Sequence, residues 1–273
     1  MQTAKKLILN ADDYGVCDSV NTAIEELAGV GLLGGVSVLA NGAKWEAATA
    51  FLRTHPQLSA GIHLNLIEGR PVSSSPAVAI LCGKDGQFAG RHTVLGRWLL
   101  QPGIVTRAVA IEWRAQIERL LQAGIHLTHA DSHQHLHAFP LAFRLAAKLC
   151  NEYKIPALRL PQERNSLRRR QLATMALNTN LFFSHQQLAK ASLRHNDHFL
   201  GFKRAGEYGL SELLLDLQSL QEGVTEIALH PSTENYSPYP TLRGKDERLA
   251  LLSPEFPAQL QHLQIQLVHW REI

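Results

Sequence analysis

Short apolar runs and longer amphipathic stretches alternate along this chain. Leu7-Ile8-Leu9 opens a run over residues 6–11 that predicts a strand, and residues 19–30 predict an amphipathic helix capped by Asp18 or Ser19. Val36 to Ala40 reads as a second strand, residues 44–54 as a helix, and Ser59 to Leu66 as a third strand. A Gly/Pro/Ser-rich segment over 67–103 then breaks the rhythm. It is too long for a simple connection and predicts a functional loop or a small excursion. Helical periodicity returns at Ile104, Val105, Ala108, Ile111, Ile117, Leu120 and Leu121, with Gly124 placed as a C-cap. His126 to Asp131 is the fourth strand, and Pro140 to Tyr153 is a helix opening on proline. Ala157 to Leu160 predicts a short strand ended by Pro161, and 167–195 a mostly helical, basic stretch. Further strands fall at His198–Phe202, Val224–His230 and Ile265–His269, separated by helices over 209–221 and 254–262.

About eight strands, most of them followed by a helix, predict parallel βα units. Periodicity alone fits both an open doubly wound sheet and a closed barrel. The polar residues favour the barrel, because Asp12, Asp13, His63, His133, Arg159 and His230 all fall at or just beyond strand C-termini. Barrels of this kind gather their chemistry on that face. The expectation is therefore an α/β chain with a distorted, TIM-like (β/α) barrel. It would form one catalytic domain over 1–273, with an inserted loop region at about 67–103.

Composition narrows the function classes. The chain has 273 residues, 45% of them hydrophobic, which is enough for a sizeable core. A net charge of +3 is too mild to argue for nucleic acid. The one dense basic run, Arg164 to Arg170, fits a solvated helix face or a contact with an anionic surface. Cys17, Cys82 and Cys150 are odd in number and widely spaced, which does not suit a disulfide framework. No basic-then-apolar leader is visible, and no apolar run approaches the ~18 residues that span a bilayer. A reduced, cytoplasmic, soluble protein is the expectation.

The chemistry concentrates at strand ends. Asp12-Asp13 closes the first strand, and two adjacent carboxylates repel one another unless a cation or a division of roles separates them. An Asx-turn would account for an isolated pair equally well. His63 sits in an alternating strand on the same face as Asn65. His129, Asp131, His133, His135 and His137 follow at period-two spacing around the fourth strand's end, too many polar groups for packing alone. Asp13, His63 and His133 would supply one carboxylate and two imidazoles, the donor set of a catalytic zinc. Spacing does not decide between His133 and His129 or His135. The same set suits non-haem iron, with His129-Ala130-Asp131 as its close pair, so an oxygenase is a competing reading. His230 precedes Pro231, which aims it out of the sheet. Arg159 is a lone cation in an apolar strand and needs a carboxylate partner, in the site or on the substrate. Tyr236 and Tyr239, among prolines, would suit stacking on a sugar ring or a packed lid.

Ala-Asp-Asp-Tyr-Gly, Gly-Ile-His-Leu-Asn-Leu, His-Ala-Asp-Ser-His-Gln-His, Leu-Arg-Leu-Pro and Leu-His-Pro occur in the order and approximate spacing of the YdjC-like carbohydrate deacetylases. The chain resembles that family from residue 6 to about 233, with Tyr14 where phenylalanine is common. Two phrases, Asn196 to Phe202 and Gly223 to Ile227, look closer to the hopanoid-associated branch than to the chitooligosaccharide deacetylases. The resemblance implies a metal-dependent hydrolase that removes the acetyl group from N-acetylglucosamine units of an oligosaccharide or glycolipid. By motif, Asp13, His63 and His133 would hold one divalent ion, zinc or magnesium. Asp12 would be the general base and His230 the acid or oxyanion stabiliser. Arg159, Tyr14, Asn65 and Tyr236 stand as substrate-binding candidates, with Arg159 alternatively orienting Asp12. A non-catalytic carbohydrate-binding barrel is the remaining alternative. A glycolipid substrate would give the basic 164–170 segment a peripheral membrane contact, and a second copy of the chain as partner stays open.

Overall fold

A computed structural model describes residues 4–163, 184–206, 208–234 and 242–273. The strands are β1 (Lys5–Tyr14), β2 (Gly35–Val38), β3 (Ala60–Leu64), β4 (Leu127–Ser132), β5 (His198–Leu200), β6 (Gly223–Leu229) and β7 (Gln266–Leu267). They form a parallel sheet in the order β4-β3-β2-β1-β6-β5, with β7 beside the start of β1. The strands are buried on both faces, which lets the start of β1 read as a continuous apolar run. Leu7, Ile8 and Leu9 are all fully buried for that reason.

The sheet curls into a distorted barrel whose gap is bridged by single pairings. The expected strand at Ala157–Leu160 is present only as isolated parallel bridges, Ala130 with Leu158 and Ala157 with Arg194. Beyond them the Asn196 side chain replaces a strand, accepting from Leu160 N and donating to the carbonyls of Leu160 and His198. Pro161 lacks the N–H that would continue the ladder. The last expected strand, Ile265–His269, is likewise reduced to two residues.

The remaining departures have local causes. The first helix spans Asp18–Gly29, and its N-cap is Cys17 without a side-chain cap, not Asp18 or Ser19. Asp18 instead pairs with Lys44 at 2.8 Å, and Asn21 reaches back to accept from Gly15 N. Gly124 does follow the long helix Pro102–Gln122 with φ +79°, the left-handed conformation a C-terminal glycine supplies. The segment 67–103 contains a 3₁₀ turn, Pro76–Leu81, and a helix, Arg91–Leu100. A further helix, Gly244–Leu251, was not legible in the periodicity. Of the basic 167–195 stretch, the described part includes the helix Ser184–Ala191; Arg164–Arg170 lies outside the described residues.

One buried carboxylate anchors the start of the excursion. Glu112 accepts from Val72 N and Ser73 N, both at 2.9 Å, and from Gln116 Nε2 at 2.7 Å. Gln116 in turn exchanges two bonds with the Asn65 backbone. Glu112→Ala leaves two partly buried amides without acceptors and is expected to cost about 1 to 3 kcal/mol in urea unfolding. Hydrogen exchange would show the loss of protection centred on residues 65–73. Among the described residues, no helix is long and apolar enough to cross a membrane.

Candidate metal centre and active site

The end of β1 departs from strand geometry. In a regular strand, Asp12 and Asp13 would point to opposite faces. A register shift against β2 between Ala11 and Tyr14, with Asp13 at φ +63°, turns the second carboxylate. Such bulges re-aim a side chain, and here both carboxylates line one pocket. They do not form the Asx-turn considered above, since their side chains bond across the barrel.

Asp13, His63 and His133 come together. Asp13 Oδ1 lies 2.8 Å from His133 Nδ1 and 3.3 Å from His63 Nε2. One donor atom from each residue falls within 4.8 Å of the others, and all three are buried. His63 pairs in register with Asp131 of β4, and its Nδ1 sits 2.7 Å from Asp131 Oδ1. A carboxylate on one imidazole nitrogen, leaving the other free to face a cation, is the usual support of a metal-binding histidine. Asp12, His63 and Asp131 form a second group of suitable spacing. Arg159 already supplies the positive charge there.

Arg159 is fully buried. Its guanidinium bonds Asp12 through two nitrogens at 2.7 and 2.8 Å, Asp131 at 2.8 Å, and Glu226 Oε1 at 2.6 and 2.9 Å. The expected carboxylate partner is thus threefold and internal. That placement removes Arg159 from the substrate-binding set and makes it the support of Asp12. Asn10 adds a bond to Asp12 Oδ1 at 2.8 Å, and its own carbonyl oxygen accepts from Trp270 Nε1 at 3.2 Å. Burial pushes Glu226 up to about 8, only partly offset by Arg159.

The other histidines of the β4 segment have different tasks. His129 stacks on Trp270 at 4.7 Å, and its ring lies against the Ser37 and Thr128 hydroxyls; a Cβ at Gly61 would meet that ring at 2.3 Å. The iron reading based on His129 and Asp131 therefore lacks its pair. The period-two pattern ends at Ser132, because residues 133–138 form a 3₁₀ turn with Gln134 and His135 in left-handed conformations. His135 packs against Phe199 and Phe202, and His137 is held between Ser132 and the Arg159 carbonyl. Burial lowers His129 to about 3 and His137 to about 4, so both are neutral.

His230 lines the same small pocket as Asp12 and Asp13. Burial holds its imidazole below the ordinary histidine value, so it rests neutral, not as a standing cation. Two other candidates are committed elsewhere. Tyr14 is fully buried and donates to Glu25 at 3.0 Å. Asn65 closes the turn after β3, accepting from Ile67 N and donating to Asn41 and the Glu68 carbonyl. The Tyr14 hydroxyl is thus engaged by Glu25, and the Asn65 amide is bonded through both its oxygen and its nitrogen within the fold. Tyr236 and Tyr239 lie outside the described residues. Sequence reasoning missed Glu226, Glu247 and Glu68. Glu247 is buried and accepts from His230 N at 2.6 Å; Glu68 Oε1 is 3.8 Å from His133 Nε2.

Protons hold the centre together when no cation does. Burial opposes charge on His63, but Asp131, Asp12 and Asp13 outweigh it and push the imidazole up to about 10. Burial likewise opposes His133, and Asp13 and Glu68 raise it to about 9. Both values lie above the ordinary ~6.5. Their stabilisation is complete below about 6.5 and is lost as pH rises through 9 to 10. Chelator-treated protein is therefore expected to lose thermal stability from pH 7 to 10. Divalent-metal affinity should rise over the same range, because the ion displaces those protons. Melting curves with and without zinc across that range check both signs.

A family model described as YdjC-like protein matches residues 6–262. The chain belongs to the YdjC-like family. Among the relatives of this YdjC-like chain is a carbohydrate deacetylase of Brevibacillus brevis, 37% identical over 152 residues, 55% of this chain and 58% of the relative. A human carbohydrate deacetylase is 35% identical over 162 residues, 58% of this chain and 49% of that protein. The alignments thus span about half to three fifths of these relatives. A Thermoanaerobacter pseudethanolicus carbohydrate deacetylase is 28% identical over 84% of this chain and 81% of its own length. A solved Enterococcus faecalis V583 structure, named as a candidate cellobiose-phosphate cleavage protein, covers 99% of both chains with a TM-score of 0.78 and 24% identity. At that identity the likeness supports the fold alone.

Proposed function

We propose that this protein is a metal-dependent hydrolase that removes the N-acetyl group from N-acetylglucosamine units of an oligosaccharide or glycolipid. The observation that carries the reading is the juxtaposition of two groups that meet at the pocket lined by Asp12 and Asp13. The Asp13–His63–His133 set stands beside Asp12, a carboxylate held by Arg159 and outside that set. Relatives named carbohydrate deacetylase support the substrate class. Asp13, His63 and His133 would hold the ion, and two imidazoles with one carboxylate suit zinc better than magnesium, which prefers oxygen ligands. Bound there, a divalent ion supplies Lewis acidity for the acetyl carbonyl and an acidified water.

The chain's own residues do the rest. Asp12, held through both oxygens by Arg159, accepts a proton as water adds to the carbonyl carbon. The proton that Asp12 has taken then passes to the leaving nitrogen by way of His230, which rests neutral and so can accept it before giving it up. The C–N bond breaks, and acetate and the free amine leave. Three unpaired cysteines accord with a reduced, cytoplasmic setting. The test is acetate release from chitooligosaccharide and from N-acetylglucosaminyl glycolipid, with chelator and with added divalent ions. Release that chelator abolishes and zinc restores is expected. Release unaffected by chelation, or none from either substrate in metal-loaded protein, contradicts the reading.

A further inference from the structure

The pocket beside the metal centre has walls that set its size. It is lined by Asp12, Asp13, Val20, His230, Ser232 and Leu242, with Gly244 at its floor, and its free interior is about 10 Å³. That is room for roughly one water or one methyl-sized group. Asp12, Asp13 and His230 give it polar lining, and Val20 and Leu242 offer apolar surface.

The walls are tied backbone to backbone. Ser232 N donates to Gly244 O at 3.0 Å, and Thr233 N to Ser19 O at 3.0 Å, joining the loop after β6 to the helix that carries Val20. Glu247 holds His230 N from beneath. A Cβ at Gly244 would meet His230 O at 2.6 Å, so the floor is backbone packed on backbone and has little freedom to widen. His230 Nδ1 and Ser232 Oγ are buried without a hydrogen-bond partner among the described residues. Buried polar atoms left in that state are costly, and an oxygen-bearing ligand would satisfy them.

Resting on the deacetylase reading above, we propose that this pocket receives the methyl of the acyl group and so admits acetyl while excluding longer acyl chains. The methyl would lie against Val20 and Leu242, and an acyl oxygen would meet His230 and Ser232. Val20 and Leu242 are then the residues that determine acyl specificity.

Two measurements on the zinc-loaded protein test this. The first is kcat/KM for N-acetyl, N-propionyl and N-butyryl glucosamine oligomers; the second is binding of acetate, propionate and butyrate by calorimetry. Each added methylene is expected to lower kcat/KM about 10-fold or more, the discrimination a close apolar pocket gives. Acetate should bind at least about 10-fold more tightly than butyrate. Leu242→Ala, at a partly exposed position, should raise the propionyl-to-acetyl ratio about 10-fold. Val20→Ala should do the same if the helix keeps its packing. Propionyl released as fast as acetyl, or carboxylates of all lengths binding alike, overturns the assignment. If no N-acyl sugar is turned over, the deacetylase reading falls, while the carboxylate series still decides the size limit.

Discussion

Asp12→Asn is expected to lower kcat for acetate release by about a thousandfold while leaving one metal ion bound per chain. A positioned general base contributes about 10² to 10⁴ in rate, and the proposed mechanism gives Asp12 that role. It lines the pocket shared with Asp13 and His230, and it is separate from the Asp13–His63–His133 set. Both of its oxygens accept from Arg159. An asparagine there faces its amide toward the guanidinium and removes the charge that would take a proton from water. Asp131 and Glu226 still hold Arg159, so the barrel should persist. Circular dichroism and metal content accompany the kinetics. Retained turnover would place the base elsewhere, and a lost ion would make Asp12 a ligand.

Arg159→Leu is expected to destabilise the fold by about 3 to 5 kcal/mol, the range for removing one partner of a buried ionic network. For a chain of this size that lowers the melting temperature by roughly 10 °C. The cause is the three carboxylates of Asp12, Asp131 and Glu226, which would face one another without a cation in a dry interior. Arg159→Lys should recover only part of the loss, because an ammonium cannot reproduce the fork that engages Asp12 through two nitrogens. Combining Arg159→Leu with Glu226→Gln should be less destabilised than Arg159→Leu alone, since one buried acid is then neutral. Thermal and urea melts of the set decide this, and an Arg159→Leu protein as stable as the parent would contradict it.

Much of the fold was written locally. The order of strands and helices follows from apolar runs and 3.6-residue periodicity, and the strand-end positions of Asp12, Asp13, His63 and His133 put them close together in the barrel. What escaped was mostly tertiary. The helix Arg91–Leu100 buries Val94 and Trp98 but leaves Leu99 and Leu100 exposed, so its sequence shows no clean stripe. The helix Gly244–Leu251 places Glu247 inward, a polar residue where periodicity expects an apolar one. Glu226 sits in β6, and nothing in its own sequence signals the guanidinium that a distant bridge segment brings to it. The bulge that turns Asp13 depends on how β1 meets β2, and no residue pattern within β1 encodes it. His133 was separated from His129 and His135 only by the 3₁₀ turn after β4, which ends the alternation. Tyr14 and Asn65 looked available from sequence and proved bonded within the fold.

The central claim is that Asp13, His63 and His133 hold one ion that turnover requires, with Asp12 beside it but not on it. Zinc titration by calorimetry into chelator-treated protein, paired with acetate release from the same samples, tests it most directly. The expected result is one ion per chain in the parent and in Asp12→Asn, and loss of tight binding in Asp13→Asn, His63→Ala and His133→Ala. Only the parent should release acetate at full rate. Tight binding that survives all three ligand substitutions, or parent turnover without any ion, would contradict the account.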